Sequence, residues 1–442
     1  MSDFPASKFE RGKIFAKTGF QIGSNYAKHY LSYPFNRRSE EDTSSLHTKT
    51  AQQVFDEFSK LRGTALKIAQ SLSMDQGFLP GEFADVMTQA QYRVPPINRA
   101  LVRSIIKREL GKYPEQIFKQ FESNALAAAS IGQVHRATLN DGRKVAVKIQ
   151  YPGVRDTIES DLAMARSLFK RFVKKGSDIN SYFDEIKDTL LEETDYILEG
   201  QHIQSFHSRF SAGEIRTPEW IEEFSTRKVL TMTFLEGSHI EDFLKNNPDS
   251  SAINHFGQLL WDFFHRQVEE NAEIHADTHP GNFLFTPDGK LGVVDFGCVK
   301  KFPEDFFMDY LRLLPAHLER DEEKIIRLYQ DLDVLKSHPR ESEKEKKYFE
   351  FCRNYGYTFA MPYESETFDF GNEDYQKLLR AYTREAPVSN EPRGSKHFIY
   401  STRVHLGLYH LLMKLGAQIQ TGKSTKIIEK LLTNTSKEVY NS

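Results

Sequence analysis

A chain of 442 residues with 39% hydrophobic content can bury a sizeable core in two lobes plus extensions, and its net charge of −3 gives no polybasic surface for nucleic acid. Its two cysteines, Cys298 and Cys352, lack metal-site spacing and fit a reducing cytoplasm. The most apolar stretch, residues 398–419, holds Arg403, His405, His410 and Lys414, so nothing reads as a bilayer span, and no export signal is visible.

Residues 8–30 mix Lys8, Arg11, Lys13, Lys17 and Lys28 with Phe9, Ile14, Phe15, Ile22 and Tyr26, a pattern suited either to an anionic membrane surface or to a lid or packing helix. Residues 37–49 are polar and read as a linker. Across residues 51–72, Val54, Phe58, Leu61, Ala65, Ile68 and Leu72 recur at spacings of three and four, which predicts one helix with one buried stripe. Lys67 and Gln70 lie off that stripe and neighbour each other, with Gly63 on the same side. That face is either solvated or laid closely against another surface.

Further along, Ala127-Ala128-Ala129-Ser130-Ile131-Gly132-Gln133-Val134 precedes a predicted hairpin of residues 134–139 and 144–150, turned at Asn140-Asp141-Gly142-Arg143. A period of two puts Val145, Val147 and Ile149 on one face and Ala146 with Lys148 on the other. A lysine beside a small alanine on a strand floor leaves room for adenine while the ammonium reaches the α and β phosphates. A lysine guarding an edge strand is the plainer alternative. Glu193, Asp195 and Glu199 follow on a predicted helix, and spacings of two, four and six cannot share one face, so they must divide roles or form an acidic surface run with Asp188 and Glu192.

Residues 229–237, Val-Leu-Thr-Met-Thr-Phe-Leu-Glu-Gly, read as a strand running into a hinge. Met232 would stand at the back of a nucleotide pocket, Phe234, Leu235 and Glu236 would offer backbone groups to adenine, and Gly237 would let the chain turn. His275-Ala276-Asp277-Thr278-His279-Pro280-Gly281-Asn282 comes next, then Val293-Val294-Asp295-Phe296-Gly297. Between them, Phe283 to Phe285, a turn at residues 286–289 and Lys290 to Val294 form a short hairpin that brings Asn282 and Asp295 side by side. An Asp facing an acceptor hydroxyl, an Asn five residues on and the Asp of a later Asp-Phe-Gly are the groups that run phosphoryl transfer from ATP. Asp277, Asn282 and Asp295 fill those positions. Beyond them, residues 302–335 look helical with a break near Pro315. A charged segment spans 337–347, a helix 348–357 and a loop 387–395, with further helices from Lys396.

Taken together these residues resemble the UbiB or AarF-type atypical kinase-like family over roughly residues 50–415. The family replaces the glycine-rich loop of protein kinases with an alanine-rich one. Its Lys-x-Gly-Gln motif corresponds to Lys67-Ile68-Ala69-Gln70, and its Glu-x-Asp-Tyr-x-x-Glu-Ala motif to Glu193-Thr194-Asp195-Tyr196-Ile197-Leu198-Glu199-Gly200. Two departures stand out: Ala69 replaces a glycine and should alter how closely its helix packs, and Gly200 replaces an alanine and should only weaken the local helix.

The resemblance implies an α+β, bilobal protein-kinase-like fold with an N-terminal helical extension over the active site. Residues 1–50 would form an N-terminal segment and linker, 51–112 the extension, 113–236 the N-lobe and 237–442 a helical C-lobe. ATP or ADP with Mg2+ would be bound by Ala127, Ala128, Ala129, Ser130, Ile131, Gly132, Gln133, Ala146, Lys148, Met232, Phe234, Leu235 and Glu236. Glu199 would pair with Lys148, Asn282 and Asp295 would hold metal, and Asp277 would act as base or orient water. Lys67, Gln70, Glu193 and Asp195 would be regulatory, the acidic pair facing Lys67 and Gln70 or the metal-nucleotide region.

Alanine enters positive φ at a cost, so the alanine-rich loop should be stiffer than its glycine counterpart. Ala276 and His279 stand where phosphorylation-switched protein kinases carry Arg and Lys. Both changes point away from a regulated protein kinase, toward a small or lipid-like acceptor or ATP hydrolysis coupled to another process. The expected setting is isoprenoid quinone or related lipid metabolism, in the cytoplasm or at the inner face of the membrane, with quinone-pathway proteins as partners. A small-molecule kinase and a nucleotide-binding pseudokinase scaffold are the alternatives.

Overall fold

The computed structural model describes residues 11–18, 20, 24, 40–61, 63–74, 86, 96–128, 131–170, 179–210, 212–269, 273–384 and 393–440. They fall into two compact units, Met1–Gln201 with Glu219–Phe234, and His202–Pro218 with Leu235–Ser442.

The first unit is built on a five-stranded antiparallel sheet. Gly132–Thr138 pairs with Lys144–Gln150, which pairs in turn with Val229–Thr233, while Gln120–Phe121 and Ala127–Ala128 both pair with Gly132–Thr138. The alternation along Lys144–Gln150 determines the packing: Val145, Val147 and Ile149 join Val102, Ile105 and Ile106 of helix Arg99–Leu110 in one core. That helix starts where Asn98 accepts a hydrogen bond from Leu101 N and stops at Gly111, whose φ of 76° ends it.

A second core joins helices Glu40–Leu61, Gly63–Met74, Val154–Phe169 and Ile179–Glu193. Here the sequence expectation needs correcting twice. The residues read as a linker are helical from Glu40. The helix expected to run through residue 72 is broken at Gly63, whose φ is +56° and whose absent Cβ would stand 3.2 Å from Val154. Gly63 therefore makes a corner between two helices and is no part of a continuous polar face. A short helix at residues 11–18 packs onto this corner. Arg11, 2% exposed, donates to both carboxylate oxygens of the fully buried Asp161 at 2.9 and 2.6 Å and to the carbonyl of Leu61 at 2.7 Å. Thr64 also hydrogen-bonds Asp161, and Phe15 meets the ring of Phe58 edge-on at 5.1 Å.

In the second unit, Ile215–Arg216, Leu291–Val293 and Phe283–Phe285 form a three-stranded sheet, and Ile274–His275 pairs with Val299–Lys300. Helices account for most of the rest. Pro315 lies inside helix Glu304–Leu318; the break comes a few residues later, where Arg320 takes φ 56° and Asp321 caps the next helix by accepting from Lys324 N. Ser342 likewise caps helix Glu343–Ala360, so much of the expected charged segment is helical. Most of the loop expected at 387–395 lies outside the described residues.

Candidate active site

In the first unit the Lys148 ammonium lies 2.8 and 2.9 Å from the two carboxylate oxygens of Glu199, and both side chains are buried. Register explains what surrounds the lysine. Val134 and Leu230 pair with Lys148, and Arg136 and Met232 with Ala146, so these side chains share one face of the sheet. Val134, Leu230 and Arg136 were not anticipated as neighbours of Lys148. Their signal was the same period of two, carried across to the flanking strands. The Arg136 guanidinium sits over the ring of Phe234 at 4.6 Å.

Of the alanine-rich stretch, Ala127 and Ala128 form a short strand against Val134 and Gln133, and Ala129 and Ser130 lie outside the described residues. Ile131 and Gly132 are buried. A Cβ on Gly132 would stand 2.6 Å from the carbonyl of Ile149 and 2.7 Å from the hydroxyl of Tyr196, which requires glycine there. Gln133 is a correction, because its side chain is occupied within the core. Its Oε1 accepts from Ile97 N at 2.7 Å and its Nε2 donates to His135 at 2.8 Å. At the expected hinge, Phe234 N already donates to the carbonyl of Lys144, while Leu235 and Glu236 open the second unit.

Lys67 Nζ lies 2.9 Å from Glu193 Oε1, with side-chain exposures of 22% and 10%. The side chain of Gln70 lies outside the described residues. Asp195 departs from expectation. The helix read through 193–199 ends at Glu193, and Asp195 starts the next one by accepting from Ile197 N and facing Arg227 at 3.4 Å. The expectation for Gly200 is also corrected: a Cβ there would stand 2.3 Å from Cε2 of Trp220, so glycine admits the indole.

In the second unit the loop 275–282 and the segment 293–297 are held together by backbone contacts. Phe283 pairs with Val293, and Val294 N donates to the carbonyl of Asn282 at 3.1 Å, which places Asn282 and Asp295 at adjacent strand ends. His275, fully buried, donates from Nε2 to the carbonyl of Asp295 at 2.6 Å, and burial holds its pKa below the ordinary value. Asp277 Oδ1 accepts from His279 N at 3.2 Å, and its carbonyl accepts from Asn282 Nδ2 at 3.1 Å. Asp295 Oδ1 accepts from Gly297 N at 2.9 Å. His279 accepts from Gly281 N, and so shapes the turn into Asn282. Gly407 was missed as a support of this loop: Thr278 occupies the space where its Cβ would be.

The donor set suits a hard cation. Asn282 Nδ2 is bound by the carbonyl of Asp277, which leaves Oδ1 to meet a metal beside the Asp295 carboxylate. No group of three His, Cys, Asp or Glu ligands occurs among the described residues. One carboxylate, one amide oxygen and phosphate oxygens are how Mg2+ is ordinarily held in phosphoryl-transfer sites.

Comparison with known proteins decides the family, since the model of the ABC1 atypical kinase-like domain matches residues 89–329, more than half of the chain. The chain belongs to the ABC1 atypical kinase-like family. Its α+β fold is accordingly kinase-like, as the motifs implied. Among ABC1 relatives, the probable serine/threonine-protein kinase abkA of Dictyostelium discoideum is 29% identical over 343 residues, 73% of this chain and 61% of that protein, so the chain spans less than two thirds of that relative's length. The mitochondrial atypical kinase COQ8 of Saccharomyces cerevisiae is 27% identical over 442 residues, 97% of this chain and 86% of the yeast protein. A solved structure, the Rv3197–erythromycin complex from Mycobacterium tuberculosis, aligns with TM-score 0.60 at 25% identity over 88% of this chain and 97% of that one. Among the described residues of this ABC1 member, no helix is long and apolar enough to cross a membrane.

Proposed function

We propose that this chain binds Mg-ATP and acts as an atypical kinase-like ATPase or phosphotransferase in isoprenoid quinone or related lipid metabolism. The observation that carries the reading is the buried Lys148–Glu199 ion pair. A buried ion pair adds little net stability by itself, so a ligand accounts for it better: the small Ala146 leaves room for adenine, and the Lys148 ammonium meets the phosphates. In this reading Lys148 contacts the α and β phosphates while Glu199 fixes its position. Asn282 Oδ1 and the Asp295 carboxylate hold Mg2+, whose chemistry is to neutralise charge on the phosphates. Asp277 accepts a hydrogen bond from the attacking hydroxyl or water. His275 fixes the backbone of Asp295 from beneath.

The lipid setting rests on the motif resemblance, because fold alone does not assign a substrate. Magnesium-dependent ATP hydrolysis by the wild type and Asp295→Asn, with and without anionic liposomes and a soluble phenol, tests the proposal. Activity that rises with the additions and is lost in the variant supports a lipid-linked ATPase. Labelled phosphate on a hydroxyl acceptor instead supports a small-molecule kinase. Tight nucleotide binding with no turnover by the wild type leaves the scaffold.

A further inference from the structure

The Glu199 carboxylate is set beside two contacts that have no slack. Its helix begins at Tyr196, and Glu199 and Gly200 follow three and four residues later, on the same face. At the first contact the Tyr196 hydroxyl fills the space beside Gly132, where a Cβ would come within 2.7 Å of it, and the Lys148 ammonium lies 5.2 Å from the centre of the Tyr196 ring. At the second, one turn on, the Trp220 indole fills the space beside Gly200, with Cε2 and Nε1 2.3 and 2.4 Å from where a Cβ would stand.

Trp220 belongs to the sheet side of that contact. Ile221 N donates to the carbonyl of Thr231 and Thr233 N to that of Glu219, both at 2.9 Å, so residues 219–221 run beside strand Val229–Thr233 with Trp220 opposite Met232. Met232 in turn faces Ala146, which puts the indole in the same row, on the side of the sheet that carries Lys148. Trp220 Nε1 is buried with no acceptor among the described residues, so shape and not a hydrogen bond sets where the ring lies. Glycine at position 200 weakens the helix relative to alanine, and what it admits is that ring.

We propose that Gly200 and Trp220 are positioning residues for the Lys148–Glu199 pair. The indole is the stop on which the helix seats, and the missing methyl sets the depth at which both Glu199 oxygens reach the ammonium, at 2.8 and 2.9 Å. A methyl at position 200 lifts the helix at the residue next to Glu199 and exchanges a two-point hold on the lysine for a looser one. The consequence for nucleotide affinity rests on the reading of Lys148 as a phosphate ligand.

Two readouts on the full chain keep the contact and that reading apart. Labelling with acetic anhydride, followed by mass spectrometry, reports on Lys148 without nucleotide, and titration of a fluorescent ATP analogue reports affinity. Gly200→Ala is expected to raise Lys148 labelling and weaken the analogue about three- to tenfold, the worth of one hydrogen bond. The rise should be absent at Lys67, which pairs with Glu193 in the same unit, whereas a chain that is merely destabilised shows it at both lysines. Adding Trp220→Phe to Gly200→Ala keeps the summed side-chain volume nearly constant and should return both quantities toward the wild type. Trp220→Ala removes the stop without a clash and should also raise Lys148 labelling, which carries the test if thermal unfolding shows that Gly200→Ala does not fold. Unchanged Lys148 labelling in the single variants, an equal rise at Lys67, or a double variant no better than Gly200→Ala would each overturn the positioning role. Labelling as expected with no wild-type affinity for the analogue would overturn the nucleotide reading and support the contact.

Discussion

Gly200 lies against the indole of Trp220 so closely that an added methyl would stand 2.3 Å from the ring. Two effects then oppose each other in Gly200→Ala. Helix propensity favours alanine by about 1 kcal/mol, whereas forcing an extra carbon into a packed interior costs about 1–3 kcal/mol. Because Gly200 is buried and the added methyl would run into the Trp220 ring, packing should win. Gly200→Ala is expected to lower the urea midpoint, and Trp220→Ala in the same chain should remove the penalty of the added methyl.

Lys148→Met removes the ammonium that faces the buried Glu199 carboxylate, whose side-chain exposure is 1%. A loss of about 3–5 kcal/mol follows. The double variant Lys148→Met with Glu199→Leu should recover most of that stability and none of the nucleotide affinity. Chemical denaturation and titration of a fluorescent ATP analogue separate the two quantities. Recovery of both would remove Lys148 from the site.

The Arg11–Asp161 pair is more deeply enclosed, at 2% and 0% exposure. Arg11→Met should destabilise the first unit by about 3–5 kcal/mol, since Asp161 keeps only Thr64 as a partner from this group and Leu61 loses a donor. Proteolysis of the helix Glu40–Leu61 under native conditions is the sensitive readout. A cleavage rate equal to that of the wild type would contradict the prediction.

Acid should act first on the second unit. Burial lowers the pKa of His265 to about 3 and of His317 to about 4, whereas an unfolded histidine titrates near 6.5. Below that value the unfolded chain binds protons at two sites that the folded chain refuses. Stability is therefore unaffected by these groups above pH 7 and falls as pH drops, by about 2.7 kcal/mol per unit between roughly pH 6 and 4. Urea midpoints measured across that range should show the slope, and His317→Leu should halve the part due to these two groups.

How far the residues could be read ahead of the structure depended on the range of the interactions that fix them. The hairpins around Lys148 and between Asn282 and Asp295 are local, so alternation and turn residues were enough to draw them. Gly63 was read as part of a helix face because nothing nearby announces that it packs against Val154. Gln133 was assigned to a ligand because the motif is contiguous, but its partner Ile97 is 36 residues away. Asp195 looked like one of three similar acids until the helix break turned it into a cap. Pro315 misled for the opposite reason: a strong local rule gave way to helix packing, and the stop was set by Asp321.

The distance between Arg11 and Asp161 along the chain also bears on how the molecule is made. Their separation is 150 residues, so on a ribosome the short helix at residues 11–18 emerges long before the carboxylate that will hold it exists. For most of that interval its arginine must stay hydrated and Phe15 without the Phe169 side of its core. Closing a loop of this length is slow relative to forming a local helix. This early element is thus fastened only after a carboxylate 150 residues on has emerged, and a nascent chain stopped before residue 161 would present that helix to whatever else binds it.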